Sequence, residues 1–223
     1  MYEDMKISLK WFVTALGMVI LAAILATLLH GTQSVAASSV RVACVGDSIT
    51  RDTQYLEVLS SMLGANYTVE NFGVGRTTVS LEFDKPYMRQ SAFQEAQTFN
   101  PDIVVIMLGT NDAYLSQQQR NNFTEDYKTL VAPFQSLPSN PEIYIVIPPP
   151  VFNNVLGLPA VVLDNEVIPK VNQTATELGL PTIDMYTPLL NNPEAFQDGV
   201  HPNLAGSQVI AAEIYNAITS FDR

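Results

Sequence analysis

Cysteine occurs once in the 223 residues, at Cys44, so no intramolecular disulfide can form. Histidine occurs twice, at His30 and His201, and the carboxylates are scattered. No metal-ligand set is recognisable in that pattern, and neither a metal nor a cofactor is expected. Basic residues are scarce, 11 Lys and Arg against 22 Asp and Glu, for a formal net charge of -11. That balance argues against nucleic acid and against anionic lipid headgroups, and leaves neutral sugars or simple esters as unobstructed partners. Internal repeats are absent, and low complexity is confined to residues 31–39. The chain is 47% hydrophobic and 15% charged, too apolar for disorder and adequate for a buried parallel sheet.

Trp11 to Leu29 is a run of nineteen residues without a charge, preceded by Lys6 and Lys10 and followed by small residues through Ser39. Its length suits a bilayer span of roughly 20 residues, while Ser34-Val35-Ala36 and Val35-Ala36-Ala37 suit signal-peptidase cleavage. Residues 1–39 are therefore expected to be a signal peptide or an N-terminal membrane anchor plus a short linker, with residues 40–223 as one folded domain. Lys6 and Lys10 hold the N-terminus in the cytoplasm under either reading, which places the domain outside, secreted or anchored by residues 11–29.

Beyond the leader, short apolar runs alternate with helical periodicity. Val40 to Val45 is almost continuously apolar, as a strand covered on both faces requires. Tyr55, Leu56, Leu59, Met62 and Leu63 repeat at helical spacing, with Gly64 as the stop. Further strands are expected at Tyr67 to Phe72, Ile103 to Leu108, Ile143 to Ile147 and, weakly, Thr182 to Met185. Helices are expected from Phe123 to Phe134, from Val161 to Leu178 despite Pro169, and from Asn203 to Ile218 with Pro202 at its first turn. Strands alternating with helices indicate an α/β fold with a parallel sheet, whose ligands sit beyond the carboxyl ends of the strands.

Polar blocks stand at several of those strand ends. Ser48, in Gly46-Asp47-Ser48-Ile49-Thr50, is a poor nucleophile unless a base lies within hydrogen-bond reach. His201 is the available base, because His30 borders the leader, and Asp198 three residues earlier can hold its tautomer. The catalytic residues read from the sequence are thus Ser48, Asp198 and His201. With Asn71-Phe72-Gly73-Val74-Gly75, Gly109-Thr110-Asn111-Asp112 and Asp198-Gly199-Val200-His201-Pro202, these blocks resemble, in order, those of the GDSL or SGNH hydrolases over residues 40–220. The resemblance implies a flavodoxin-like three-layer α/β/α sandwich with a five-stranded parallel sheet. It also implies an oxyanion hole made of the backbone N–H groups of Ser48 and Gly75 and the side-chain amide of Asn111. Gly75 is preferred to Gly73 because Arg76-Thr77-Thr78 resembles the family continuation.

Other residues weigh less. Cys44 reads as core packing, Asp112 as structural and Tyr87 as packing after Pro86. Arg51 and Arg76 flank the first two blocks, where either a solvated role or contact with a substrate carboxylate is open. Pro148-Pro149-Pro150-Val151-Phe152 resembles the family segment that borders the acyl and alcohol pockets. The function this implies is a serine esterase that removes small acyl groups, above all O-acetyl from carbohydrate, through an acyl-serine. The alternatives are a lysophospholipase or thioesterase of the same family, an extracytoplasmic O-acyltransferase, and a non-catalytic glycan-binding module. The partner is then a small-molecule or glycan ester, with a membrane involved only through the N-terminal segment if it stays uncleaved.

Overall fold

The computed structural model describes residues 39–220. Residues 1–38 of the expected leader and linker lie outside the described residues. Among the described residues no helix is long and apolar enough to cross a membrane.

The chain begins with strand β1 (Val40–Gly46), a short helix α1 (Ser48–Asp52) and helix α2 (Tyr55–Leu63), which ends at Gly64 as expected. Strand β2 (Tyr67–Gly73) and helix α3 (Ser91–Thr98) follow, then β3 (Ile103–Met107), α4 (Phe123–Gln135) and β4 (Glu142–Ile147). Helix α5 (Ile168–Leu178), the three-residue strand β5 (Thr182–Asp184) and α6 (Leu204–Ser220) complete the order. All pairings are parallel and the strands lie in the order β2-β1-β3-β4-β5. That is the flavodoxin-like order, in which the chain reverses its winding between β1 and β3 and leaves a crevice at their carboxyl ends.

Alternate residues of each central strand feed two separate apolar layers. Val104, Ile106, Ile143 and Ile145 face Phe93 of α3, Tyr127, Leu130 and Phe134 of α4, and Val171 of α5. Ile103, Val105, Tyr144 and Val146 face Tyr55 and Leu59 of α2 and Ile210, Ile214 and Ile218 of α6. Each fully buried side chain of this kind contributes about 1.5 to 3 kcal/mol. Cys44 lies in the second layer, fully buried, and burial pushes its thiol up to about 12, which leaves it an inert apolar residue.

Three local features differ from the expectations. The helix foreseen from Val161 begins with a turn at Ala160–Val162, widens to π geometry over Leu163–Val167 and then continues as α5. The widening stands just before Pro169, whose ring in a regular helix meets the carbonyl four residues back. Pro202 is not in the first turn of α6. Asn203 intervenes as the cap, its side-chain oxygen accepting from the Ala205 and Gly206 N–H groups at 2.9 and 3.3 Å. Helix α3 carries no strong sequence pattern, since only Ala92, Phe93 and Ala96 are buried in it.

Candidate active site

β1 delivers the chain to Asp47, whose carboxylate caps α1 by accepting from the Ile49 N–H at 2.9 Å. Ser48 is therefore the first residue of the helix and not its cap. Because Asp47 does the capping, the Ser48 hydroxyl is left to other partners. Its Oγ stands 2.8 Å from His201 Nε2, and His201 Nδ1 stands 2.7 Å from Asp198 Oδ2. Ser48 and His201 are 153 positions apart in the sequence.

The turn that carries His201 is fixed from within. Asp198 Oδ1 accepts from the backbone N–H groups of Val200 at 3.0 Å and His201 at 2.7 Å, while Oδ2 is left for the imidazole. Burial pushes the Asp198 carboxyl up, but the hydrogen bonds from His201 and Val200 outweigh it and hold the group below the usual carboxylate range. Gly199 has φ 83, and a Cβ there would stand 2.5 Å from the Asn153 carbonyl oxygen, so the turn requires glycine. Phe152 N–H donates to the Gly199 carbonyl at 2.8 Å, which ties the segment after β4 to the turn that carries His201.

Asn111 follows β3 and faces the same crevice. Its Nδ2 donates to Asp47 Oδ2 at 3.2 Å and to the Thr77 carbonyl at 3.1 Å. Both amide hydrogens are thus engaged, and donation to a further oxygen must share or displace one of them. Asp47 therefore has two tasks, capping α1 and anchoring Asn111. Burial pushes its pKa up to about 6, against the opposing effects of the Ile49 N–H and of His201.

Asp112 is also fully buried and pushed up to about 7, mainly by burial and further by Asp47. It accepts from Val79 N–H at 3.0 Å and Ser80 N–H at 2.9 Å, a structural clamp on the loop after β2. Tyr87 packs edge-on against Phe93, and its hydroxyl donates to the Phe72 carbonyl at 2.6 Å.

The two glycines of the second block have different environments. Gly73 N–H donates to Asn71 Oδ1 at 2.9 Å, and a Cβ there would stand 2.4 Å from Arg51 N, so this glycine serves the close approach of β2 to α1. Gly75 N–H has no hydrogen-bond acceptor among the described residues. Gly75 is buried under the Arg51 guanidinium, with a built Cβ 2.6 Å from Nη2, and its carbonyl accepts from Lys85 Nζ at 2.8 Å. Arg51 itself is paired with Asp52 at 2.6 Å.

A cleft of about 480 Å³ adjoins these groups, lined by Ser48, Asn111 and His201 together with Arg76, Thr110, Phe83, Tyr114, Leu156, Leu158 and Val200. Gly75 itself is not among its lining residues; the adjacent Arg76 is. Arg76 has φ 66, which for such a side chain costs about 1 to 2 kcal/mol. The Tyr114 hydroxyl donates to the Leu156 carbonyl at 2.8 Å, linking two walls of the cleft. Asp47's anchoring of Asn111 and the apolar wall were not read from the sequence. The anchor joins positions 64 apart, and nothing local marks Phe83 or Leu158 as wall residues.

Among the described residues no group of three or more His, Cys, Asp or Glu side chains is placed to hold a metal ion. A hydroxyl, an imidazole and a carboxylate in one hydrogen-bonded line beside a cleft form the arrangement that activates a serine for acyl transfer.

Known proteins resemble this chain in sequence and in fold. The chain is 32% identical over 207 residues to an acetylxylan esterase of Xylanibacter ruminicola, an alignment covering 81% of this chain and 43% of that protein. The chain thus spans less than half the length of that relative. A solved acetyl xylan esterase, AlAXEase, superposes with a TM-score of 0.66 at 20% identity, covering 80% of this chain and all of that one. Est24, a carbohydrate acetylesterase from Sinorhizobium meliloti, superposes at 0.63 with 16% identity over 82% of this chain and 100% of its own. At such identities these two likenesses speak for the fold. Residues 44–209 match the profile of the GDSL-like lipase/acylhydrolase family, a span that includes all four polar blocks, Ser48 and His201 among them. With its flavodoxin-like sheet and its Gly46-Asp47-Ser48 block after β1, the chain belongs to that family.

Proposed function

We propose that this chain is a serine esterase that hydrolyses small acyl esters, above all O-acetyl groups on carbohydrate. The observation that carries the reading is the line Ser48 Oγ, His201, Asp198 beside the cleft. Ser48 Oγ attacks the ester carbonyl while His201 Nε2 takes its proton, and Asp198 steadies the imidazolium. The oxyanion so formed is met by the N–H groups of Ser48 and Gly75 and by the Asn111 amide. A charged oxygen is a stronger acceptor than the Thr77 carbonyl, so it draws one Asn111 hydrogen away from that bond. His201 then gives its proton to the departing alcohol oxygen as the ester C–O bond breaks, leaving acyl-Ser48. Water attacks that acyl group, His201 again takes and returns a proton, and the carboxylic acid leaves with Ser48 restored.

The acetyl preference is supported by the acetylxylan esterase likeness. A lipase-like preference for longer chains is favoured by one observation, the apolar wall of Phe83, Leu156, Leu158 and Val200. Hydrolysis of p-nitrophenyl esters from acetate to laurate by the full chain, with Ser48→Ala as control, separates the two. Acetate-selective, Ser48-dependent turnover is expected. A laurate preference supports the lipase-like reading. Acetylated product formed only when an acceptor sugar is added supports acyl transfer.

We place the domain outside the cytoplasm, delivered there by the apolar run 11–29 behind Lys6 and Lys10. Cell fractionation with N-terminal sequencing of the mature protein tests that placement. Recovery in the cytoplasm with an intact N-terminus would contradict it.

A further inference from the structure

Arg76 lines the cleft that holds Ser48 and His201, is exposed, and pairs with no carboxylate among the described residues. Its counterpart across Gly75, Arg51, is neutralised by Asp52 at 2.6 Å. The backbone at Arg76 lies in the left-handed region at φ 66, and among the described residues the other non-glycine positions with positive φ are Asn100 and Asn140, a type that tolerates it. Glycine or asparagine would form the same turn with less strain, so what arginine adds at this position is its side chain. Arg76 shares the lining of this cleft with Tyr114 and Asn111. The protein as a whole carries a net charge of -11, a field that repels anions at a distance. An anionic substrate must then be held by short-range contacts, and a guanidinium matches a carboxylate with two parallel hydrogen bonds.

We propose that Arg76 binds a carboxylate on the alcohol part of the substrate, so that the preferred ester is an acetyl group on a glycan bearing uronic acid. The proposal rests on the acetyl-esterase reading above: an acetyl group carries no charge, so the carboxylate belongs to the sugar. It makes Arg76 a specificity-determining residue beside the Ser48 chemistry.

A matched pair of substrates tests it. Methyl 3-O-acetyl-xyloside and methyl 3-O-acetyl-glucuronoside differ only by the carboxylate, and acetate release from each gives a kcat/KM. In the full chain, Arg76→Met should lower the glucuronoside to xyloside ratio of kcat/KM about tenfold or more, and Arg76→Lys should lower it less. Arg76→Gly relieves the left-handed backbone, so it remains folded and should lower the ratio as Arg76→Met does. Ratios within twofold of the wild type in both the Met and Gly variants overturn the assignment. So does a wild-type enzyme that cleaves the xyloside and leaves the glucuronoside untouched. Turnover of p-nitrophenyl acetate is read in parallel. Its absence overturns the esterase reading and the Arg76 proposal with it, whereas its presence with an unchanged ratio overturns Arg76 alone.

Discussion

Replacing Asp198 by asparagine separates the two tasks of this carboxylate. Oδ1 accepts the Val200 and His201 backbone N–H groups, and Oδ2 faces the imidazole Nδ1 at 2.7 Å. In Asp198→Asn the amide oxygen must stay on the two backbone donors. Turning it toward the ring would set the amide NH2 against those donors and orphan both, at about 1 to 3 kcal/mol each. The amide nitrogen therefore faces Nδ1 and donates to it, which forces the ring proton onto Nε2, the nitrogen that stands 2.8 Å from Ser48 Oγ. A flip cost of about 2 kcal/mol or more keeps at least roughly thirty molecules in this unproductive tautomer for each productive one. The anionic support of the imidazolium is lost as well, so kcat should fall about 10³ to 10⁴-fold. KM should change little, because Asp198 is not among the cleft-lining residues. Folding should hold, because both backbone hydrogen bonds survive. Asp198→Ala would leave both donors orphaned, and should therefore unfold at lower urea than Asp198→Asn while being at least as active. Steady-state hydrolysis of p-nitrophenyl acetate together with urea unfolding of the two variants measures this. Asp198→Asn with kcat within tenfold of the wild type would refute the reasoning.

The buried carboxyls set the direction of pH dependence. Asp47 and Asp112 are raised from 3.8 to about 6 and about 7, so the folded chain binds protons that the unfolded chain has released, and stability should fall as pH rises from about 4 through about 7. For Asp112 alone the change corresponds to roughly 4 kcal/mol at 1.36 kcal/mol per pH unit; a urea midpoint higher at pH 5.5 than at pH 8, and a flatter dependence in Asp112→Asn, are expected. Gly73→Ala sets a Cβ 2.4 Å from the Arg51 backbone nitrogen and should destabilise by about 1 to 3 kcal/mol, whereas at Gly75→Ala the nearest atoms belong to the movable Arg51 guanidinium and the variant should unfold near the wild-type urea concentration. Asn111→Ala should lower kcat about a hundredfold or more through loss of the oxyanion donor, and an unchanged rate on p-nitrophenyl acetate would remove Asn111 from that role.

The central strands were legible because a strand covered on both faces is a nearly continuous apolar run, as at Ile103–Met107 and, but for Arg41, at Val40–Gly46. β5, three residues long, carried the faintest signal among the strands. Helix α1 was missed because five residues hold too little periodicity to read. The chemical types at the site were legible too, since a serine nucleophile needs a base and His201 was the histidine available beyond the leader. Strand order was not written in the spacing; it came from family resemblance and is set by which apolar faces the helices cover.

What the sequence determined by itself is local: alternation of elements, the stop at Gly64, and the residue types that can carry acyl transfer. The tertiary structure decided what depends on distance. It set the 2.8 Å between side chains 153 positions apart, the anchoring of Asn111 on Asp47, the loss of Gly73 as a free donor and the exposure of Arg76 to the cleft. Hydrogen bonds and excluded volume act over a few ångströms, and only the packed sheet brings those atoms within that range.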